Sequence, residues 1–310
     1  MNVQSMLAPA GLQAAAIERL WWIFLIVTSL VFVAVVVALV AAIVRSNRDG
    51  GPSDRAAFRG VAAAVIATAV ILIGLITVDA FTARQLASLE TDDRMVVNIT
   101  GRQWWWDIEY QHPLPSMRVR TANELRLPVG RVVQINLQSA DVIHSFWVPA
   151  LHGKRDVIPG HANEIWLKAD TPGTYRGQCA EFCGLQHAHM ALTVIVEPQD
   201  TFSAWIAAQR QLGPSDASEQ AARGRQIVER GPCSTCHTVR GTDAGGRVGP
   251  DLTHVSARQT IAAGTLATSR ENLRTWIENP QHVKPGVRMP ALGLSRDDID
   301  AVVAYLGGTQ

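Results

Sequence analysis

Cysteine is scarce: the chain has four in 310 residues. They fall into two close pairs, Cys179 with Cys183 and Cys233 with Cys236. No thiol is left over for a disulfide framework, so both pairs read as cofactor cysteines. Net charge is nearly absent as well, at +1, which leaves no electrostatic footprint for nucleic acid. Residues 1–19 lack the basic region that opens a conventional signal peptide and read as a short external arm.

Two stretches lack charge altogether, Trp21 to Val44 and Gly60 to Val78. Each is long enough to cross a hydrocarbon core of roughly 30 Å at about 1.5 Å per residue. Neither has a polar face, which excludes a pair of buried helices in a soluble protein. Residues 20–82 therefore read as a transmembrane hairpin. Arg45, Arg48, Arg55 and Arg59 outnumber Asp49 and Asp54 in its turn, and a short arginine-rich loop stays on the cytoplasmic side. Both termini then face outward.

Beyond a linker at residues 83–93 the pattern changes to short strands. Met95–Thr100, Val132–Leu137, Val142–Val148, Glu164–Lys168 and Leu192–Val196 mix β-branched and aromatic residues. Gly101, Pro128-Val129-Gly130, Pro159-Gly160 and Pro172-Gly173 punctuate them. Residues 92–200 are expected to form an antiparallel barrel or sandwich. A helical segment from Asp200 to Gln211, with Phe202 and Trp205 on one face, ends at Gly213-Pro214-Ser215. Residues 201–217 are thus read as helix and short tether, and residues 218–310 as a further domain.

The chemistry concentrates in Cys179-Ala180-Glu181-Phe182-Cys183-Gly184-Leu185-Gln186-His187-Ala188-His189-Met190. Two thiols, an imidazole and a thioether within one loop suit a soft metal, and the thioether favours copper over zinc. Structural zinc or a Cys179–Cys183 disulfide are the bland alternatives, and zinc leaves Met190 unexplained. Bare neighbouring thiols outside the cell tend to oxidise, whereas a bound metal keeps them as ligands. His144, in Asp141-Val142-Ile143-His144, is the candidate second imidazole. In the last domain Cys233-Ser234-Thr235-Cys236-His237 is the sequence for covalent c-type haem attachment, with His237 as proximal iron ligand. A thioredoxin-like pair needs a βαβ context, and a zinc fragment needs further ligands.

The run Cys179-x-Glu181-x-Cys183-Gly184-x-x-His187-x-x-Met190 resembles subunit II of the haem-copper cytochrome c oxidases. The resemblance implies a cupredoxin fold and a binuclear copper centre, CuA. Cys179 and Cys183 would bridge the coppers, His144 and His187 would be terminal ligands, and Met190 and the Glu181 carbonyl would be weak ones. The Glu181 side chain is then a candidate for magnesium or manganese at the subunit I interface. Gly101-Arg102-Gln103-Trp104-Trp105-Trp106 resembles the family's aromatic segment. It implies Trp104 as electron-entry residue, beside the plain reading of a packing aromatic. Trp105 stands where tyrosine is more usual. Gly153 to Gly160 resembles the segment near subunit I, although a charged surface turn reads the same way.

Residues 219–310 resemble a small helical class I cytochrome c, in which Gly224 lets the last helix, with Tyr305 and Leu306, cross closely. Met289, in Val287-Arg288-Met289-Pro290, is the implied distal iron ligand, and His254 and His282 are its rivals. His112, His152, His161 and His189 have no motif context.

The fold expected is therefore multidomain: two transmembrane helices, an all-β cupredoxin barrel and an all-α cytochrome c domain. The function implied is electron input to a membrane terminal oxidase that reduces dioxygen to water in a partner chain. The implied partners are subunit I and other membrane subunits, with a soluble cytochrome or a cytochrome bc complex as donor. The location implied is the bacterial inner membrane, with both cofactor domains on the periplasmic side. The CuA subunit of a nitric oxide reductase, a free-standing membrane electron carrier and a copper-delivery protein are the rival functions. One family feature is missing: the stretch Ser53 to Gly60 has no Glu for proton entry, and Asp54, set among arginines, is read as a poor substitute.

Overall fold

The computed structural model describes residues 4–45, 53–87 and 91–308. Arg48 and Asp49 of the turn, and part of the linker at 83–93, lie outside the described residues. The chain divides into two units, residues 15–90 and residues 1–14 with 91–310.

The first unit is a helical pair. Helix α1 runs Leu12–Arg45 and α2 runs Asp54–Ala87. Both outrun the charge-free stretches, because helix continues through the flanking turns that carry Glu18, Arg19, Arg55 and Arg84. The arm expected at 1–19 is accordingly helical from Leu12. Large apolar side chains such as Phe32, Val37, Val65 and Ile73 are exposed. Both helices are long and apolar enough to cross a membrane, and such surfaces are stable in lipid because a helix satisfies its own backbone.

In the second unit, ten strands build two five-stranded sheets. They are β1 Met95–Arg102, β2 Trp105–Tyr110, β3 Val119–Ala122, β4 Glu124–Pro128, β5 Val132–Ser139, β6 His144–Trp147, β7 Arg155–Val157, β8 Asn163–Lys168, β9 Gly173–Cys179 and β10 Ala191–Glu197. The sheet orders are β3-β2-β1-β5-β8 and β4-β10-β9-β6-β7. Pairing is antiparallel except for β1 with β5 and β10 with β4, so the architecture is a mixed sandwich rather than the purely antiparallel one expected. Alternation drives it. Val133, Ile135 and Leu137 of β5 and Val97 and Ile99 of β1 turn inward, meeting Trp106, Leu125, Leu127 and Val194 in one core.

The N-terminal arm joins this packing: Ala10 N–H donates to the Ala150 carbonyl at 2.7 Å, and Gly11 bridges to Ala169. Helix α3, Gln199–Gln209, lays Phe202 and Trp205 against Tyr110.

The cytochrome part contains α4 Glu219–Arg230, the single turn α5 Cys233–Cys236, a small hairpin of β11 Thr260–Ile261 and β12 Leu266–Ala267, α6 Arg270–Glu278, α7 Pro280–Val283 and α8 Arg296–Leu306. Ser218 caps α4, Ser269 caps α6 and Ser295 caps α8, each accepting from a backbone N–H of the first turn. Helices α4 and α8 cross at Gly224, where a Cβ would fall 2.0 Å from the Ala301 carbonyl oxygen. The glycine at that crossing does what the sequence pattern required of it.

Candidate metal centre and haem site

The soft-metal loop joins β9 to β10, and β6 brings His144 beside it. Ligand atoms of His144, Cys179 and Cys183 lie within 4.8 Å of one another. Cys179 Sγ is 3.7 Å from Cys183 Sγ, 3.9 Å from His144 Nδ1 and 3.2 Å from the Glu181 carbonyl oxygen. Cys183 Sγ is 3.6 Å from His187 Nδ1 and 3.9 Å from Met190 Sδ. All six expected donors thus converge on one pocket.

Electrostatics in the pocket favour a cation. The hydrogen bond shared with Cys183 pulls the Cys179 thiol down to about 3, with His144 adding to the shift, while the same sharing pushes the Cys183 thiol up. One sulfur is thiolate even when the second keeps its proton. Burial opposes charge on His144, but hydrogen bonds to Asp141 and Cys179 outweigh it and raise the imidazole. Asp141 Oδ1 meets His144 Nε2 at 2.8 Å, which leaves Nδ1 for a metal, the outer-sphere arrangement that orients metal-binding histidines.

Close packing holds the loop in place. Gly184 has a φ of +111°, and a Cβ there would fall 3.1 Å from Trp104 Cζ2. The Trp104 indole N–H donates to the Cys183 carbonyl at 2.9 Å, and Gln103 Nε2 donates to the same oxygen at 2.8 Å. Trp104 is only 7% exposed, so it touches the metal loop without offering a ring face to solvent. The Glu181 carboxylate lies outside the pocket, 3.8 Å from Lys154 Nζ, which brings it beside the Gly153–Gly160 segment.

In the cytochrome domain Cys233 and Cys236 sit on the single turn α5. The His237 Nδ1–H donates to the Pro250 carbonyl at 2.8 Å and leaves Nε2 as the ligating nitrogen. Burial lowers the His237 imidazole and keeps it neutral, as a ligand must be. A Cβ on Gly249 would come 2.5 Å from His237 Cε1, and one on Gly246 would strike the Thr235 carbonyl, so the cradle tolerates no larger residue beside the ring. The donors and the cradle fit a covalently held haem.

Met289 lies in a loop shaped by Gln281, whose Nε2 donates to the carbonyls of Val287 and Met289 at 2.6 and 2.9 Å and whose Oε1 accepts from Gly286 N–H. The rivals are placed differently. His254 Nε2 is 3.3 Å from the Gln211 carbonyl of the linker, and His282 is exposed. Sequence reasoning missed Asp141, Gln103, Gln186, Lys284 and Gln281 as organisers, since none carries a motif and each acts through position.

Residues 115–197 match the family described as cytochrome C oxidase subunit II, periplasmic domain, and residues 221–310 match cytochrome c. With the two apolar helices, these findings define a membrane-anchored protein with a cupredoxin-like metal domain and a c-type cytochrome domain. The chain is 39% identical over 216 residues to cytochrome c oxidase subunit 2 of Alkalihalophilus pseudofirmus, covering 69% of this chain and 61% of that one. It is 34% identical over 223 residues to the corresponding subunit of Bacillus sp. strain PS3, again covering 61% of the relative. The crystal structure of the periplasmic domain of subunit II of cytochrome oxidase from Bradyrhizobium japonicum is 32% identical and covers 39% of this chain and 96% of that one, with a TM-score of 0.36. This chain carries a cytochrome c oxidase subunit II periplasmic domain at residues 115–197, followed by a cytochrome c domain at residues 221–310. The matched part spans less than two thirds of the length of those two relatives. The family implies copper, and the fused domain implies haem c.

Proposed function

We propose that this chain is the electron-input subunit of a membrane haem-copper oxidase in a bacterial inner membrane, with both cofactor domains on the periplasmic side. The observation that carries the reading is the convergence of five soft and borderline donors and one carbonyl oxygen around one pocket. A pair of cysteine sulfurs 3.7 Å apart suits two bridged coppers, and an imidazole beside each sulfur suits one terminal position on each.

Cys179 and Cys183 would hold the binuclear CuA centre, with His144, His187, Met190 and the Glu181 carbonyl completing it. Bound copper and haem supply one-electron chemistry with little change of geometry. The residues of this chain do the rest. Cys233 and Cys236 would anchor the porphyrin, and His237, its tautomer fixed by the Pro250 carbonyl, would hold the iron together with Met289. Trp104 and Gln103 tie the metal loop to the barrel through one carbonyl, so that Trp104 serves as a packed neighbour of the centre.

The Glu181 carboxylate, held near Lys154, would bind magnesium or manganese at a contact with the catalytic subunit I, and other membrane subunits would complete the complex. A soluble cytochrome or a cytochrome bc complex would deliver electrons to the haem domain. Purification of the complex from membranes tests this reading through metal content, optical spectrum and oxygen uptake. Two coppers per covalent haem with oxygen uptake support it. Zinc in place of copper, or reduction of nitric oxide without oxygen uptake, overturns it.

A further inference from the structure

The fused cytochrome domain touches the linker at one place and the copper domain at two more, and the third contact lies on the metal loop itself. At the first, Gly213 N–H donates to the Arg240 carbonyl at 2.9 Å, so the linker is packed rather than free. At the second, the 259–264 turn sits on the barrel. Gln259 N–H donates to Glu124 Oε2 at 2.7 Å, Ala191 N–H donates to the Ala263 carbonyl at 3.2 Å, and Ala263 packs on Trp105 and Ala122. Ala262 and Ala263 both hold positive φ, 53° and 56°, a conformation costly for alanine and kept only where surroundings enforce it. Trp105, the departure from the family pattern, is therefore an interdomain residue.

The third place joins the haem's distal loop to the copper loop. Lys284 is 1% exposed, and its Nζ donates to the His189 carbonyl at 2.8 Å and to the Ala262 carbonyl at 3.1 Å. Gln186 Nε2 donates to the Pro285 carbonyl at 2.6 Å. Arg288 bonds to Gln103 Oε1 and lies 3.9 Å from Asp141 Oδ2. A Cβ on Gly286 would come 2.8 Å from Leu185 Cδ1. The segment that carries the proposed iron ligand Met289 thus reaches, through Arg288 and Gln103, the carbonyl of the bridging cysteine Cys183.

A buried ammonium held by carbonyls of two domains is an expensive way to join them. Burial lowers Lys284 to about 8, so the group costs folding free energy that an apolar residue would not. What the ammonium gives in return is direction. Its hydrogen bonds are met only when both loops occupy one relative position, a use of buried polar groups that favours specificity over stability.

We propose that Lys284 and Arg288 seat the cytochrome domain on the copper loop in one fixed orientation. The haem's electron then crosses a standing contact, and the copper face around Gln103, Gly184 and Gln186 is closed to external donor proteins. The proposal rests on the electron-input reading above. In the step concerned, one electron leaves ferrous haem and one is gained by the copper pair, with no proton or further reactant. Lys284 and Arg288 are positioning residues, acting through His189, Ala262, Gln103 and Asp141. A tethered domain that must search for its site transfers at a rate set by diffusion and tether length, whereas a seated one does not.

The test uses the full chain in its complex. Flash photoreduction of the haem is followed by the rate at which the copper band changes, measured across glycerol concentrations. Backbone hydrogen exchange over residues 183–190 provides a second readout. In the wild type the rate should be independent of viscosity and the loop protected. Lys284→Met should slow transfer by about tenfold or more, make it viscosity-dependent and raise exchange in the loop, with both optical spectra unchanged. Arg288→Ala, at an exposed position, should do the same more weakly and serves if Lys284→Met does not fold. A viscosity-dependent wild-type rate, or variants with intact spectra and unaltered rate and exchange, would overturn the proposal. Missing copper or haem bands in the wild type would instead sink the electron-input reading.

Discussion

Asp141 and His144 are three residues apart and form a bond that decides which nitrogen faces the cysteine pair: Asp141 Oδ1 holds His144 Nε2 at 2.8 Å, and Nδ1 turns to Cys179 Sγ at 3.9 Å. The Asp141 carboxyl is half-buried and its burial alone would raise it. The hydrogen bond from His144 and the backbone N–H groups of Gln103 and Val142 outweigh that and keep it ionised. A second-sphere carboxylate of this kind fixes ring orientation and raises ligand basicity.

Asp141→Ala should therefore weaken copper binding by about 10- to 100-fold, with covalent haem unaffected. Copper affinity measured by competition with a chelator checks this. An unchanged affinity would mean that His144 is oriented by packing alone, for instance by Gly101, whose absent Cβ leaves room for the ring.

Met289→His should leave the haem covalently attached and low-spin but lower its reduction potential, because a thioether stabilises ferrous iron better than a second imidazole. Redox titration of the haem band measures the shift. In the oxidised wild-type protein a sulfur-to-iron charge-transfer band in the near infrared should be present. Its absence would move the ligand assignment to His254 or His282.

Lys284 makes stability depend on pH in a definite direction. Its folded value of about 8 lies below the 10.5 of an ordinary lysine, so between these limits the unfolded chain binds the extra proton. Stability should rise as pH climbs from about 8 to 10.5, by on the order of 3 kcal/mol when complete. Below pH 8 the full cost is present. Denaturation midpoints across this window should climb in the wild type relative to Lys284→Met. Parallel curves for the two proteins would contradict the assignment of that cost to Lys284.

The second helix begins at Asp54, where family members often place a proton-entry Glu. Asp54→Asn removes the carboxylate and leaves the helix cap in place, because Ser53 Oγ accepts from Ala56 N–H at 3.4 Å. Turnover of the assembled complex should be unchanged. A large loss with normal assembly would show that protons do enter through this segment.

Much of the fold could be read from the sequence because its strongest signals are local. The charge-free spans and the alternation in β1 and β5 each report on one element at a time. The strands that escaped notice have mixed signals. β4 contains Glu124 and Arg126, which look like surface charges, yet Glu124 is buried and the half-buried Arg126 lies 3.3 Å from it and 3.2 Å from the buried Glu197. β9 contains Gly173 and Gly177, and the latter is required because a Cβ would fall 2.4 Å from Leu192 Cδ2. At the site, the donors in the loop were visible by spacing, while Lys284 and Gln281 looked like ordinary polar residues of a turn. Trp104 reads from the sequence either as an electron-entry residue or as a packing aromatic, and the packing of Gly184 against it was not legible from either residue alone. The linker carried turn signals and read as a tether, yet its hydrogen bonds to Arg240 join it to the cytochrome core.

The most direct measurement is copper per covalent haem in the purified protein, combined with electron paramagnetic resonance of the oxidised form, for the wild type and Cys183→Ser. The account predicts two coppers per haem and an unpaired electron shared between them in the wild type. Cys183→Ser should lose that signal while the haem band stays. One zinc and no copper in the wild type, or a shared-spin signal that survives in Cys183→Ser, would contradict it.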